Sequence, residues 1–463
     1  MSTRYFLWLL LFLFYLNGNI SAQEKGWTLS QCIAYARENN IVVKQQELGL
    51  QNAQIVLRES QLDYLPSLNL VGNYNISGGR VLDPTTYNFI DNQTINDING
   101  AINLNMELFG GLKKYYILKR SELNLKSSIL NVEKSKNDLT LNIIACFLEI
   151  LFAQEKIKIT ENKINLVRSQ ENRMQELVDI GKKTIGDLLQ IQAQLANTKN
   201  EKIIANGNLK KAYLSICQLL EITDYVNFQI LIPDTLSINE LSLNTDIETV
   251  LNEAQKLPEI NSANLQVKIA KKDVSIARSA LYPKINLLSG YGSTYSDVRQ
   301  KTHRDSNGNL ILDSSNNPIF IRYPFQEQVR DNANYYLTLG INIPIFNSFS
   351  IKSKIRVNEV ALHRAEYDYL LTRKRLNRDV EKSYIDAQTS WQSYITSQKN
   401  VETNLESFRQ IEHKLNLGLS TPLDYNIATD NLINAQSQLI QAKYEYIFTI
   451  LIINFYLGKP IEL

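Results

Sequence analysis

Two kinds of hydrophobic periodicity divide the chain, and they follow one another in a fixed order. From about residue 30 to 62 apolar side chains recur at helical spacing. The stretch "SLNLVGNYNIS" then changes the period to two, with Leu68, Leu70, Tyr74 and Ile76 on one face and Asn69, Asn73 and Asn75 on the other. That alternation predicts a strand. A loop rich in Asn and Asp leads to "INGAINLNMELF". Here Ile98, Ile102, Leu104, Met106 and Leu108 oppose Asn99, Asn103, Asn105 and Glu107. Helical spacing resumes over about 112–180 and, after a short break, over about 187–221.

The same series then runs again. A helix is expected over about 248–281, a strand on Ile285, Leu287, Tyr291 and Tyr295, and another on Leu337, Leu339, Ile341, Ile343 and Ile345. Asn334, Thr338 and Asn342 alternate with the last set, and Pro344 falls at its end, where a lost ladder bond is easiest to bear. Helices follow over about 349–417 and 424–457. Pro66 and Pro283 stand at the two switches from helix to strand. Each pushes its preceding residue into extended geometry and so ends the helix.

Aligning Pro66 with Pro283 pairs Ala53 with Ala270 and Asn40 with Leu257, a constant offset of 217. Aligning Phe109 with Phe346 pairs Gly181 with Gly418, Thr184 with Thr421, Asp187 with Asp424 and Leu195 with Leu432, an offset of 237. The second copy thus carries 20 extra residues between its two strands, in a charged, Asn-rich stretch near Gly308. This unit is far longer than a solenoid repeat, so an internal two-fold repeat is expected. The predicted division is 1–22, 23–221 (strands at about 67–77 and 98–109), a linker at 222–246, and 247–463 (strands at about 284–295 and 334–346).

Strands with one apolar and one polar face fit either a sandwich packed on a soluble core or a transmembrane β-barrel, apolar to lipid and polar to a lumen. The aromatics favour the barrel. Tyr64, Phe109, Tyr282 and Phe346 mark one end of the strands, and Tyr74, Tyr291, Tyr295 and Tyr335 lie toward the other. Four strands cannot close a barrel, and open edges are not tolerated in lipid, so copies of the chain must share one. Two copies give eight strands and a filled lumen; three give twelve and room for a channel. A helix over 112–180 would be about 100 Å long. It is matched by two shorter helices laid end to end, as in a helical tube with 222–246 as its belt. The fold class expected is therefore α+β: a barrel of four strands per chain, continuous with an α-helical barrel. The long loop of the second copy is expected outside the cell, since such barrels put long loops outside and short turns inside.

The N-terminus supports export. Arg4 precedes an apolar run from Tyr5 to Leu16, and Ile20-Ser21-Ala22 resembles a cleavage site. The run is too short to span a membrane, which takes about 20 residues. Lys plus Arg is 49 against 47 Asp plus Glu, so nothing favours a nucleic-acid partner. Cys32, Cys146 and Cys217 form no metal or redox spacing. His303, His363 and His413 are scattered, and no phosphate loop is present. No enzyme and no cofactor are expected.

The break between long and returning helix has a local signature in both copies. Gly181 suits the left-handed residue that ends a helix, and Thr184-x-x-Asp187 reads as a capping box. The second copy offers Gly418 and Thr421-Pro422-Leu423-Asp424, with proline at the first helical position. Each tip is expected to be a tight, polar, exposed turn far from the strands. Capping alone is one complete explanation of Asp187 and Asp424.

Taken together, "TLSQCIAYARENN", "LDYLPSLNL", "LVDIGKKTIGDLLQIQAQL" and "LNLGLSTPLDYNIATDNL" resemble the TolC-like outer-membrane efflux family over nearly all of the mature chain. The resemblance implies a homotrimer with a twelve-stranded barrel in outer-membrane lipid and a helical barrel in the periplasm. It implies an exit duct for small molecules or proteins, served by a periplasmic adaptor and an inner-membrane RND or ABC transporter. The competing class is a trimeric stalk or adhesin anchored by a small barrel. On the family reading, Gly181, Lys182, Lys183, Thr184, Gly418, Leu419, Ser420 and Thr421 meet the adaptor, and Asp424, Ile427 and Asp187 form the periplasmic gate. Some members place two aspartates three residues apart at the second tip. Here Asp424 holds the first position and Ile427 the second, so an apolar constriction is expected in place of a second carboxylate ring.

Overall fold

The computed structural model describes residues 26–82, 87, 89–231 and 245–459. The expected export signal and the middle of the 222–246 segment lie outside these residues. In chain order the elements are α1 (Leu29–Asn39), α2 (Ile41–Leu62), β1 (Ser67–Leu82), β2 (Phe89–Gly110), α3 (Lys113–Asp179) and α4 (Ile185–Leu220). They continue as α5 (Ile247–Ala254), α6 (Pro258–Ser279), β3 (Lys284–Ser296), β4 (Gln300–Thr302), β5 (Phe320–Arg322), α7 (Phe325–Asp331), β6 (Asn334–Asn342), α8 (Ser350–Asn416) and α9 (Pro422–Tyr456). Among the described residues no helix is long and apolar enough to cross a membrane.

The chain packs as two compact units, each drawing on both halves of the sequence. One takes the described residues up to Leu50, with Ser127–Asn264 and Asp368 onward; the other takes Gln51–Lys126 and Leu265–Tyr367. The second unit holds a four-stranded antiparallel sheet in the order β1-β2-β3-β6. Its register sorts the side chains as the period of two requires. Tyr74 pairs with Ile98, Ile102 with Tyr291, and Tyr291 with Tyr335; on the opposite face Asn73 pairs with Asn99 and Asn103 with Gly290. The apolar face is bare: Leu70 is 79% exposed, Leu337 72% and Tyr335 85%. A contiguous apolar face of this kind is unstable in water and suits hydrocarbon. The polar face is cross-linked by Asn73 Nδ2 donating to Asn99 Oδ1 (2.9 Å) and the Tyr336 hydroxyl donating to Asn103 Oδ1 (3.1 Å).

Three details depart from the sequence reading. A bulge between Glu107 and Phe109 puts Phe109 opposite Ile285, so Phe109, and not Leu108, continues the apolar row. The last strand stops at Asn342 because Pro344 has no amide hydrogen to donate, which leaves Ile343 and Ile345 beyond it. The first hairpin is longer than expected, reaching Leu82 on one strand and starting at Phe89 on the other. At 16 and 22 residues these strands exceed the roughly 9–11 that span a bilayer.

The long loop of the second copy is folded. After β4 the chain makes two turns of the same design, eight residues apart. Asp305 Oδ1 accepts from the amides of Asn307 and Asn309, and Asp313 Oδ1 from those of Ser315 and Asn317, all at 2.8–2.9 Å. Gly308 and Asn316 take the matching left-handed positions (φ 86° and 64°). In α7, Gln328 is wholly buried and bonds both the amide and the carbonyl of Ser296, fastening the loop to the end of β3.

α3 and α8 each run 67 residues without glycine or proline, and both divide between the two units, their larger parts in the helical one. The helices opening the two halves are not continuous, contrary to the expectation for 30–62 and 248–281. Both break at the same point of the repeat. Asn40 leaves helical geometry (ψ 130°), and its Oδ1 accepts from the Val42 amide at 2.9 Å, capping α2. Its counterpart Leu257 precedes Pro258, which starts α6. The main core of this unit joins Cys32, Ile143, Phe147, Leu151, Ile216, Cys217 and Ile447. Part of the 222–246 segment is tied to it: Trp27 and Ile230 bridge in parallel, and Trp27 stacks on Phe228 at 5.6 Å.

Candidate functional site at the hairpin tips

The turns between α3 and α4 and between α8 and α9 share the same glycine closure and capping bonds. Leu177 O accepts from the Lys182 amide at 2.8 Å, and Lys414 O from the Leu419 amide at 2.8 Å. Gly181 and Gly418 stand at φ 72° and 74°. This is the six-to-one closure that ends a helix on a left-handed residue, and glycine takes it without a Cβ penalty.

Both capping boxes are complete. The Thr184 hydroxyl accepts from the Asp187 amide (3.3 Å), while Asp187 Oδ2 accepts from the Thr184 amide (3.1 Å) and hydroxyl (3.0 Å). At the second tip Asp424 Oδ2 accepts from the Thr421 amide (2.9 Å), the Thr421 hydroxyl (2.7 Å) and the Ser420 hydroxyl (3.2 Å). These bonds favour the charged form and hold both carboxyls below the usual carboxylate range. A carboxylate with a depressed folded pKa stabilises above its unfolded pKa, and that contribution is lost as pH falls through the folded value. Amide protection at Thr184, Asp187, Thr421 and Asp424 is therefore expected to be full at about pH 5 and to collapse only below the ordinary carboxylate value near 3.8. Hydrogen exchange, corrected for intrinsic rates, reads this directly. Tips whose protection is already lost between about pH 5 and the ordinary carboxylate value refute it.

The second tip rests on a small core of Phe408, Tyr425, Ala428 and Leu432, with Phe408 and Tyr425 centroids 5.2 Å apart. Burial above all pushes the Tyr425 hydroxyl up to about 12, so it stays neutral at any physiological pH. The first tip rests on Met174, Leu188, Ile191 and Leu195. The Arg173 guanidinium donates to Asn416 Oδ1, linking the ends of α3 and α8.

Lys182, Lys183, Thr184, Leu419 and Thr421 are exposed, as expected, and Asp424 holds its carboxylate at the surface. Ile427 lies one turn further along α9 and is 51% exposed in the single chain, while Tyr425, Ala428 and Thr429 supply the buried contacts. The tips are less polar than their sequence implied. Ile180, Ile185, Leu189, Leu417 and Leu423 are all more than half exposed. The sequence reading rested on the Gly, Lys, Ser and Thr of the turns and did not weigh the apolar residues that flank them. Among the described residues no group of three or more His, Cys, Asp or Glu side chains is placed to hold a metal.

With this geometry the chain resembles proteins already known. It is 20% identical to outer membrane protein TolC of Vibrio cholerae, over 94% of this chain and 91% of that one. It is 21% identical to the toluene efflux pump outer membrane protein TtgC of Pseudomonas putida, over 92% and 83%. The fold superposes on the CmeC outer membrane channel of Campylobacter jejuni with a TM-score of 0.78 at 17% identity, covering 94% of this chain and 86% of that one. The profile of the family described as outer membrane efflux protein matches residues 32–220 and 251–458, most of the chain. The chain belongs to the outer membrane efflux protein family, an exit duct of the outer membrane.

Proposed function

We propose that three copies of this chain form one duct, and that it completes a pump whose energy is spent elsewhere. The observation that carries this is the sheet. Among the described residues β1 and β6 are unpaired on their outer edges, and the exposed apolar face suits lipid. Edges open to hydrocarbon are unstable, so each β6 pairs with β1 of the next copy. Twelve strands leave a lumen lined by the Asn-rich face, whereas eight would be filled by side chains.

In this reading a periplasmic adaptor meets the hairpin tips end-on, through Gly181, Lys182, Lys183 and Thr184 on one and Gly418, Leu419, Ser420 and Thr421 on the other. The exposed Ile180, Leu417 and Leu423 add apolar knobs for the adaptor to cover. An inner-membrane transporter, RND or ABC, supplies the energy, since the chain carries no nucleotide motif. Asp187, Asp424 and Ile427 ring the mouth. The names of the relatives, an efflux pump component among them, support a role in export of small molecules.

Native mass spectrometry of the detergent-extracted protein, with planar-bilayer recording on the same sample, tests the reading. A trimer that conducts ions is expected. A stable monomer that inserts alone, or a trimer with no conductance in any state, overturns it.

A further inference from the structure

We infer that the polar face of the sheet carries a subsite for small zwitterionic solutes, in a cavity whose lining includes Glu107 and Lys113. This rests on the reading of that face as the lumen wall. The cavity, of about 290 Å³, lies within the sheet-bearing unit where β1 and β2 meet the helices. Asp63, Asn105, Glu107, Lys113, Lys114 and Asn286 line it. The register places Asn105, Glu107 and Asn286 on the polar face, since Glu107 pairs directly with Asn286 and Asn105 lies two residues along the same strand.

Its charges are of both signs and are not spent on each other. Among the described residues neither the Lys113 ammonium nor the Glu107 carboxylate has an ion-pair partner. Lys114 is held differently, its Nζ donating to the Asp63 carbonyl at 2.5 Å. The Glu107 carboxylate lies over Gly110, where a Cβ would stand 2.5 Å from Oε1, so the glycine leaves it room. A cation and an anion without ion-pair partners in one lining, together with the side-chain amides of Asn105 and Asn286, complement a solute bearing both a carboxylate and an amine. Leu65 and Ile117 add apolar wall for its remainder. The volume suits a molecule at the small end of ordinary ligands.

The internal repeat shows that the fold itself does not need these charges. The second copy makes the same strand-to-helix turn, with Ser348 and Phe349 left-handed where Gly111 and Leu112 are. Yet the positions answering Asp63, Glu107, Lys113 and Lys114 are Ala280, Pro344, Ser350 and Ile351. Two cations, Lys284 and Lys354, answer Ser67 and Ile117. One junction is built with no carboxylate at all, so the paired charges of the other are available for binding.

Equilibrium dialysis of the full-length, detergent-solubilised protein against labelled Leu-Ala dipeptide tests the subsite. The comparison probes are its N-acetyl and C-amide forms, each with one charge removed. The free dipeptide is expected to bind at least about tenfold more tightly than either. Lys113→Gln should abolish the preference over the amide, and Glu107→Gln the preference over the acetyl form. The charge exchange Glu107→Lys with Lys113→Glu should restore binding. Circular dichroism checks that each variant folds. Equal binding of all three probes, or binding indifferent to both substitutions, overturns the subsite. Bilayer conductance on the same sample reads the duct separately: a protein that conducts but binds the probes alike loses the subsite and keeps the duct.

Discussion

Gly111→Ala is expected to prevent stable assembly, or to lower the melting temperature of the purified protein by many degrees. Gly111 makes the turn from β2 into α3 at φ 63°, and Leu112 follows at φ 64°. A Cβ on Gly111 would collide with the Ser279 carbonyl oxygen and stand 2.8 Å from Tyr282 Cβ. The first obstacle is backbone. That carbonyl already accepts from the Tyr282 amide at 3.2 Å in the last turn of α6, and Ser279 is buried at 1% exposure. It can retreat only if α6 shifts with it. The left-handed conformation adds about 1–2 kcal/mol for a residue with a Cβ, and forced overpacking about 1–3 kcal/mol.

The second copy separates the two contributions. Ser348, an exposed residue, occupies the equivalent turn at φ 52°, so a Cβ in this conformation is tolerated there. Ser348→Gly should therefore change the melting temperature little. Gly72→Ala, at a site with no atom within 4 Å of the added Cβ, should be nearly silent. Thermal melts of the three variants decide the matter. If Gly111→Ala melts with the wild type, the close packing at this junction is not what holds the helix end to the sheet.

That junction also shows where the sequence was legible. The period of two in the strands, the prolines at the switches and the glycine-threonine-aspartate signature of the tips are local patterns, and local physics fixes them. Asn40 was harder to read. A polar residue in a helical run usually sits on a wet face, and only its buried setting beside the Leu219 carbonyl (3.0 Å) turns it into a cap. The bulge at Leu108 and the wedge of Gly111 against Ser279 depend on partners some 170 residues away. The paired turns at Asp305 and Asp313 repeat every eight residues, a period that belongs to neither helix nor strand. At the tips, the capping roles of Thr184, Asp187, Thr421 and Asp424 were readable because each box is closed within four residues. The exposed Ile180, Leu417 and Leu423 were not, because hydrophobic periodicity cannot tell a residue facing the core from one facing a partner.

Ile427→Ser is expected to raise the resting conductance of the channel severalfold and to admit solutes the wild type excludes. Ile427 makes little of the local core, so its loss should leave the chain folded. If the proposed mouth is ringed by three copies, three such side chains form an apolar constriction, and water and ions cross it only at a desolvation cost. A hydroxyl removes much of that barrier. Asp424 acts differently, through its charge, which favours cations in a narrow opening. Asp424→Asn keeps an oxygen that can accept from the Thr421 amide while removing the charge. It should lower cation selectivity with little change in resting conductance. Gln190, which answers Ile427 in the first copy, supplies a control: Gln190→Ile should not open the channel. The two variants thus predict a crossed outcome, conductance from position 427 and selectivity from position 424. Recordings in which Ile427→Ser conducts like the wild type would remove the apolar gate. Unchanged selectivity in Asp424→Asn would leave that aspartate with its capping bonds alone.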